Sequence, residues 1–157
     1  MKINIKSNKG VTITGLVIYV SSFFMICAVI GVITTFFFNN TKFLSGEATA
    51  SAEFDILNAY LAKEAKTDGN IVRSIEEPDK GGNWIEFLNG NKYIYESGKI
   101  YLLNITTNKY FVVANYIQKI PDGSNEKPVF EKDNGNFTLN IRILNKDYKQ
   151  EYNLSNQ

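Results

Sequence analysis

One uninterrupted apolar segment constrains this chain more than any other feature. It runs from Val11 to Phe38, twenty-eight residues without a charged side chain. In an α-helix the segment would rise about 42 Å at about 1.5 Å per residue, whereas the hydrocarbon core of a bilayer is about 30 Å thick. The sequence therefore predicts a helix long enough to span a membrane.

The residues before this segment predict its orientation. Residues 1–10 contain Lys2, Lys6 and Lys9 and no acidic residue. Lys and Arg beside a membrane helix favour the cytoplasmic side. We expect residues 1–10 to lie inside the cell and the chain after Phe38 to lie outside.

Two alternative interpretations of the segment fit the residues less well. A secretory signal has an apolar core of about 7–15 residues with small residues directly after it, but here the nearest such pattern, Ala48-Thr49-Ala50, lies far beyond Phe38. A lipoprotein anchor would need small residues before Cys27, and Phe24-Met25-Ile26 stand there. Cys27, the single cysteine, is expected to be a membrane-helix side chain without a disulfide partner in this chain.

The start of the segment resembles the processing site of the type IV prepilin family. Lys9 and Gly10 lie at the cytoplasmic edge of the apolar run, after a leader of ten residues. The resemblance implies that a membrane-embedded prepilin peptidase cuts after Gly10 and that Val11 becomes the N-methylated first residue. Thr12 and Leu16 match the family, whereas Val11, Ile13 and Thr14 stand where Phe, Leu and Ile are usual.

Gly15 is the informative departure from this pattern. It occupies the fifth mature position, where most pilins carry a Glu that is thought to neutralise the amino terminus of a neighbouring subunit. A lone carboxylate in an apolar environment must be paired to be tolerated. Within the family the missing Glu favours a minor subunit with a restricted place in the filament, at or near the tip. An ordinary uncleaved anchor remains the alternative.

The helix is expected to continue beyond the membrane. Thr41 to Thr67 contains no proline and one glycine, and good helix formers are frequent. Phe43, Phe54, Leu57, Leu61 and Ala65 recur at helical spacing and form one apolar stripe. We predict one helix from Val11 to about Lys66, ending near Thr67-Asp68-Gly69, with two helices hinged at Asn39-Asn40 as the alternative.

After the helix the periodicity changes to that of β-strands. Residues 70–83 and 121–128 are polar and turn-rich and are predicted as loops. Alternating apolar residues and tight-turn sequences predict strands at Trp84–Leu88, Lys92–Glu96, Lys99–Leu103, Lys109–Ile117, Phe137–Ile143 and Tyr148–Leu154, with a short partner strand at Val129–Lys132.

These elements predict an α+β fold: a long N-terminal helix, half in the membrane and half amphipathic, packed on an antiparallel sheet. The expected divisions are a leader at 1–10, a transmembrane or filament-core helix at 11–38, an amphipathic continuation at 39–67 and a β-rich head at 68–157. The order and proportions resemble pilins and pseudopilins, loosely the minor subunits of the J and W type.

Composition argues against several other functions. The chain has 17 basic and 16 acidic residues, and this near-neutrality predicts no nucleic-acid binding. Histidine is absent and cysteine single, so imidazole-based catalysis and the usual zinc sites are excluded, and we expect neither an enzyme nor a cofactor. The acidic pairs Glu76 with Glu77 and Glu126 with Glu131 lie in polar segments and are expected to be solvated.

Two further kinds of site are conceivable, but structural roles explain the same residues. Calcium could bind at residues 122–126 or 133–136, but neither run fits a defined ligand spacing, so turns are expected there. The nine tyrosines could form a recognition surface, although in strands they are more often packing residues.

The resemblance implies a protein of the cytoplasmic membrane that moves into an extracellular pilus or pseudopilus. Its expected partners are other pilin or pseudopilin subunits, the prepilin peptidase, and the inner-membrane assembly platform with its ATPase. Adhesion, motility, secretion and DNA uptake all remain open as the process served. The alternative function is that of an uncleaved, single-pass, membrane-anchored interaction domain.

Overall fold

The computed structural model describes residues 13–76, 81–104, 107–133 and 136–154. The chain divides into two compact units, Met1–Leu44 and Ser45–Gln157. In the first unit the described residues form a single stretch of helix. The second unit contains the end of that helix and all the described strands.

The helix α1 spans Ile13–Lys66, 54 residues, and passes through Asn39-Asn40 without a break. Beyond Lys66 the chain turns sharply: the Asn70 amide donates to the Thr67 carbonyl at 3.0 Å, and Gly69 has a positive φ of 71°. Glycine adopts that conformation without a steric penalty. The predicted single helix and its end are confirmed.

Five strands form an antiparallel sheet in sequence order: β1 (Val72–Ile75), β2 (Trp84–Phe87), β3 (Asn91–Glu96), β4 (Lys99–Asn104) and β5 (Lys109–Ala114). Ser97 and Gly98, with φ of 50° and 78°, make the tight turn between β3 and β4. The predicted meander is confirmed. The prediction of a loop over residues 70–83 is wrong in part, because β1 lies there and pairs with β2.

A second antiparallel sheet is centred on β10 (Asn136–Ile143). On one side β10 pairs with β11 (Lys146–Asn153), and on the other with β6 (Ile117–Gln118) and β9 (Phe130–Asp133). The strands predicted near Val129, Phe137 and Tyr148 are therefore confirmed.

Two predictions about this part of the chain are wrong. The single strand predicted from Lys109 to Ile117 is split into β5 and β6, because Tyr116 takes a positive φ of 59° and leads the chain from the first sheet to the second. The predicted loop at 121–128 contains a small hairpin of β7 (Pro121–Asp122) and β8 (Asn125–Glu126). Gly123, with a φ of 62°, lies at its tip.

The core of the second unit joins the helix to both sheets. Leu57 and Leu61 of α1 are fully buried, and the Phe54 ring stacks on Tyr148 of β11 at 4.3 Å between centroids. Phe87 of the first sheet meets Phe137 of the second at 5.3 Å. Each fully buried large apolar side chain contributes about 1.5–3 kcal/mol. The predicted α+β arrangement, a helix packed on antiparallel sheet, is confirmed.

The predicted apolar stripe is only partly buried. Leu57, Leu61 and Ala65 lie in the core and Phe54 packs against it. Phe43 belongs to the first unit and is exposed. The stripe therefore begins later than expected.

Candidate functional site

The first unit presents an exposed apolar helical surface. Residues 13–38 contain no charged side chain, and large side chains such as Phe24 and Ile30 are exposed. This helix is long and apolar enough to cross a membrane. A helix satisfies its own backbone hydrogen bonds, which is the condition for entering lipid.

Polar side chains within this helix are also satisfied internally. The Thr34 hydroxyl donates to the Ile30 carbonyl at 2.8 Å, and the Thr35 hydroxyl donates to the Gly31 carbonyl at 2.9 Å. Such bonds to the preceding turn remove the need for a water partner. The two threonines are therefore compatible with a membrane environment.

The residues of the predicted processing site, Lys9, Gly10 and Val11, lie outside the described residues. Gly15 is described and is the third residue of α1. Cys27 is a free thiol on the exposed surface of the same helix. The predicted cleavage and N-methylation therefore stay predictions.

A buried carboxylate organises the far end of the helix. Glu64 is 4% exposed and accepts four hydrogen bonds from side chains outside α1. Asn70 and Asn89 donate to Oε2 at 2.9 and 2.6 Å. Asn91 and Tyr93 donate to Oε1 at 2.6 and 3.1 Å. We call these five residues the Glu64 cluster.

Hydrogen bonds to the side-chain oxygens of the three asparagines fix the orientation of their amide groups. Asn70 Oδ1 accepts from the Asn89 amide at 3.2 Å, Asn89 Oδ1 from the Asn91 amide at 3.0 Å, and Asn91 Oδ1 from Asn104 Nδ2 at 2.6 Å. Each NH₂ group therefore faces the carboxylate. The cluster is a cage of donors around an anion and has the wrong polarity for a metal cation.

The cluster joins the helix end to the first sheet. The Glu64 carbonyl also accepts from Asn70 Nδ2 at 3.1 Å, which satisfies one of the free carbonyls at the end of a helix. Burial, and next the charge of Glu64, raise the pKa of the Tyr93 phenol well above its ordinary value of 10.0. Tyr93 therefore remains a neutral donor, and the chemistry of the cluster is structural.

A second polar contact holds the point where the chain changes sheets. Glu53 of α1 accepts from the Asn115 amide at 2.7 Å and from Asn115 Nδ2 at 3.4 Å. Asn115 directly precedes Tyr116, the residue with positive φ. The helix thus fixes the crossover between β5 and β6.

The outward side of α1 in this unit carries several exposed apolar and small side chains. Ile56 is 49% exposed, and Tyr60, 36% exposed, contacts Phe111 of β5 with 6.0 Å between ring centroids. Ala48, Ala52 and Ala59 are exposed on the same helix. These residues form a surface of apolar and small side chains on the head.

Among the candidate residues for chemistry, those that the structure describes do not converge on a catalytic or metal site. Glu76 accepts from the Asn83 amide at 2.5 Å, Glu77 lies outside the described residues, and Glu126 pairs with Lys119 at 3.6 Å. Within the described ranges, no group of three or more His, Cys, Asp or Glu could hold a metal ion. Of the two segments considered for calcium, residues 122–125 form part of the β7–β8 hairpin. In the other segment, 133–136, residues 134 and 135 lie outside the described ranges.

Five of the nine tyrosines that could form a recognition surface lie in or beside the strands of the first sheet, and they separate into two groups. Tyr93 is buried, and Tyr95 packs against the core. Tyr101 stacks on the exposed Tyr110 at 4.8 Å, and Tyr116 is exposed. Packing thus accounts for part of the set, while Tyr110 and Tyr116 are accessible.

Sequence reasoning missed the Glu64 cluster. The four partners of Glu64 lie 6 to 29 residues further along the chain, beyond the reach of a local pattern. One signal was present: Glu64 lies between Leu61 and Ala65 on the side of the helix that carries the apolar stripe. A carboxylate placed there has to be buried with donors.

Comparison of the chain with protein-family models, with curated proteins and with solved structures gave no match. The class of protein is therefore defined by the fold alone. It is an α+β protein with one membrane-length N-terminal helix and an antiparallel head.

Proposed function

We propose that this protein is a minor type IV pilin or pseudopilin, made as a prepilin and cut between Gly10 and Val11. The observation that carries the proposal is the division of one continuous helix into two surfaces. Residues 13–38 are apolar and exposed, whereas Leu57, Leu61 and Ala65 of the same helix are buried in an antiparallel head.

This division gives the helix two environments during assembly. The apolar half first lies in the cytoplasmic membrane and then moves into a bundle of similar helices, which replace lipid as its apolar surroundings. The buried half is part of the head and moves with it. Gly15 supports a restricted place in the filament, because this subunit lacks the carboxylate that most pilins offer to a neighbour.

The partners in this function are other pilin or pseudopilin subunits, the prepilin peptidase and the inner-membrane platform with its ATPase. Neither catalysis nor a cofactor is part of the proposal. The machine served is a pilus, a type II secretion pseudopilus or a competence system.

The first test is the intact mass of the protein purified from its own membranes. In cells with prepilin peptidase we expect loss of residues 1–10, with or without one added methyl group on Val11. In cells that lack the peptidase we expect the full-length mass. A Gly10→Val variant provides the matched control in the chain, because it should keep the full-length mass even when the peptidase is present.

An unchanged full-length mass in both strains would overturn the proposal. The protein would then be a plain membrane-anchored interaction domain. Its function would have to come from the head and its exposed apolar surface.

A further inference from the structure

The outward face of α1 in the head carries apolar and small side chains among its charged ones. A helix at a protein surface normally carries charged and polar residues on its solvent side. Here the exposed positions include Ala48, Ala52, Ile56 and Ala59. A partner with a complementary surface would bury these apolar side chains.

The face consists of two strips with complementary side chains. The small strip contains Ala48, Ala52 and Asp55, and the bulky strip contains Ile56, Tyr60 and Lys63. The strips are rotated from each other by about 80° around the helix axis, since eight residues make about 2.2 turns. Phe111 lies beside Tyr60 and widens the bulky strip.

Each member of the bulky strip lies eight residues after one member of the small strip. The pairs are Ile56 with Ala48, Tyr60 with Ala52, and Lys63 with Asp55. A parallel second helix displaced by eight residues, about 12 Å along the axis, would place each large side chain over an alanine and the ammonium group beside the carboxylate.

From this spacing we propose that the small strip of one copy of this protein binds the bulky strip of a second copy, parallel and displaced by about 12 Å. Alanine allows helices to approach closely, and their axes then lie about 8 Å apart. Within the described ranges neither Asp55 nor Lys63 has an ion-pair partner. Both charged groups are therefore available to a neighbour.

Such a contact is heterologous, because it joins two different surfaces of the same chain. Heterologous contacts that do not close into a ring generate open helical assemblies. The parallel orientation rests on the proposed function, in which every copy enters the membrane in the same direction. A short run of copies at one end of a filament would contain this contact between neighbours. It would also agree with the restricted place in the filament that Gly15 supports.

The contact is tested by disulfide cross-linking of the full-length protein in its own membranes. In a Cys27→Ser background, the double variant Ala52→Cys with Tyr60→Cys should give a ladder of cross-linked copies on mild oxidation. A disulfide within one chain is excluded, because eight helical residues separate the two Cα atoms by about 12 Å, beyond the roughly 7 Å limit for a disulfide.

The matched control moves one cysteine by one helical turn. Ala48→Cys with Tyr60→Cys corresponds to a displacement of twelve residues, about 18 Å, and should give no ladder. Absence of a ladder for the first pair, or equal ladders for both pairs, would overturn the proposal.

Charge exchange identifies the partner. Asp55→Lys or Lys63→Asp alone should reduce the yield of the ladder about fivefold or more, the factor that corresponds to about 1 kcal/mol for an exposed ion pair. The double exchange Asp55→Lys with Lys63→Asp should restore the yield if the partner is a second copy. Failure of the double exchange to restore it would mean that residues 55 and 63 do not pair between copies, which would overturn the proposed displacement of eight residues.

The same samples separate this inference from the proposed function. Their intact mass reports whether residues 1–10 are removed. Removal without a ladder would overturn only the contact between copies, whereas a ladder of uncut protein would overturn only the pilin function. Fluorescence of Trp84, the single tryptophan, checks that each variant keeps the folded head.

Discussion

Replacement of Glu64 by alanine is expected to destabilise the head strongly. The variant removes the acceptor of four side-chain donors. Two of the donors are buried, since Asn70 is 3% exposed and Tyr93 is not exposed at all. A buried donor without an acceptor costs about 1–3 kcal/mol. Asn89 and Asn91 are more accessible and can turn to water.

The net loss is smaller than the sum of these terms. Burial of a carboxylate carries a desolvation cost of its own, and the alanine variant no longer has that cost. We therefore expect Glu64→Ala to lower the free energy of unfolding by about 2–4 kcal/mol, a large fraction of the about 5–15 kcal/mol typical of a domain. With a slope of about 2 kcal/mol per molar, the middle of the usual range for a small domain, the urea midpoint should fall by about 1–2 M.

The assay is urea unfolding of the full-length protein in a mild detergent, followed by the fluorescence of Trp84 in β2. Glu47→Ala is the matched control, because Glu47 is an exposed carboxylate on the same helix, and its loss should change stability by less than about 0.5 kcal/mol. Glu64→Gln keeps one acceptor oxygen and should give an intermediate loss.

A Glu64→Ala midpoint equal to that of the Glu47→Ala control would refute the reasoning. The Glu64 cluster would then contribute little to stability. Equal losses for Glu64→Ala and Glu64→Gln would instead show that the charge matters more than the number of acceptors.

Three other perturbations give independent checks. Leu61→Ala should lower the free energy of unfolding by about 2–5 kcal/mol in the urea assay, because Leu61 is fully buried. Ile56→Ala, on the exposed side of α1, should lower it far less. Similar losses for the two variants would contradict the assignment of Leu61 to the core. Burial raises the pKa values of Tyr93 and Tyr152 above 10.0 in the folded protein. Above pH 10 the unfolded chain therefore loses the phenol protons of these residues before the folded protein does. The free energy of unfolding should then fall by about 1.4 kcal/mol per pH unit for each tyrosine. Melting temperatures between pH 9 and 11.5 measure this fall in stability. Tyr152→Phe should make the profile shallower, and a flat profile for the unmodified protein would argue against the prediction. Gly15→Glu should be tolerated or should increase incorporation along the filament shaft, measured by immunogold labelling, while wild-type protein found in high copy along the whole shaft would exclude the restricted place.

Much of the fold follows from short stretches of sequence. The apolar run and the later periodicity were sufficient to predict α1 through Asn39-Asn40 to about Lys66. Alternating residues and turns such as Ser97-Gly98 were sufficient to predict the meander. These features depend on side chains within a few positions of one another, which is the range that a pattern in the sequence covers.

The missed elements have identifiable physical causes. β1 is four residues long and its pairing shifts between Val72 and Ser74, so the alternation of a regular strand is absent. The division between β5 and β6 depends on a positive φ at Tyr116. Tyrosine rarely adopts this conformation, so the sequence does not predict it. The strands of the β7–β8 hairpin have only two residues each.

The candidate sites divide in the same way. The membrane-length helix is a local feature and was predicted from sequence. The processing site predicted at Lys9, Gly10 and Val11 is also a local pattern, but it lies outside the described residues and stays a prediction. The Glu64 cluster was not predicted, because its donors come from positions 70 to 93. The exposed face that joins Tyr60 to Phe111 was also missed, since it involves two elements 51 residues apart.

By itself, therefore, the sequence determined that this protein has one apolar helix of membrane length, an amphipathic continuation and a β-rich head. Only the tertiary structure decided that Glu64 is buried among four donors while Ile56, eight positions earlier on the same helix, is exposed. The reason is that helix and strand formation depend on neighbouring residues, whereas burial depends on which distant segments pack over a side chain.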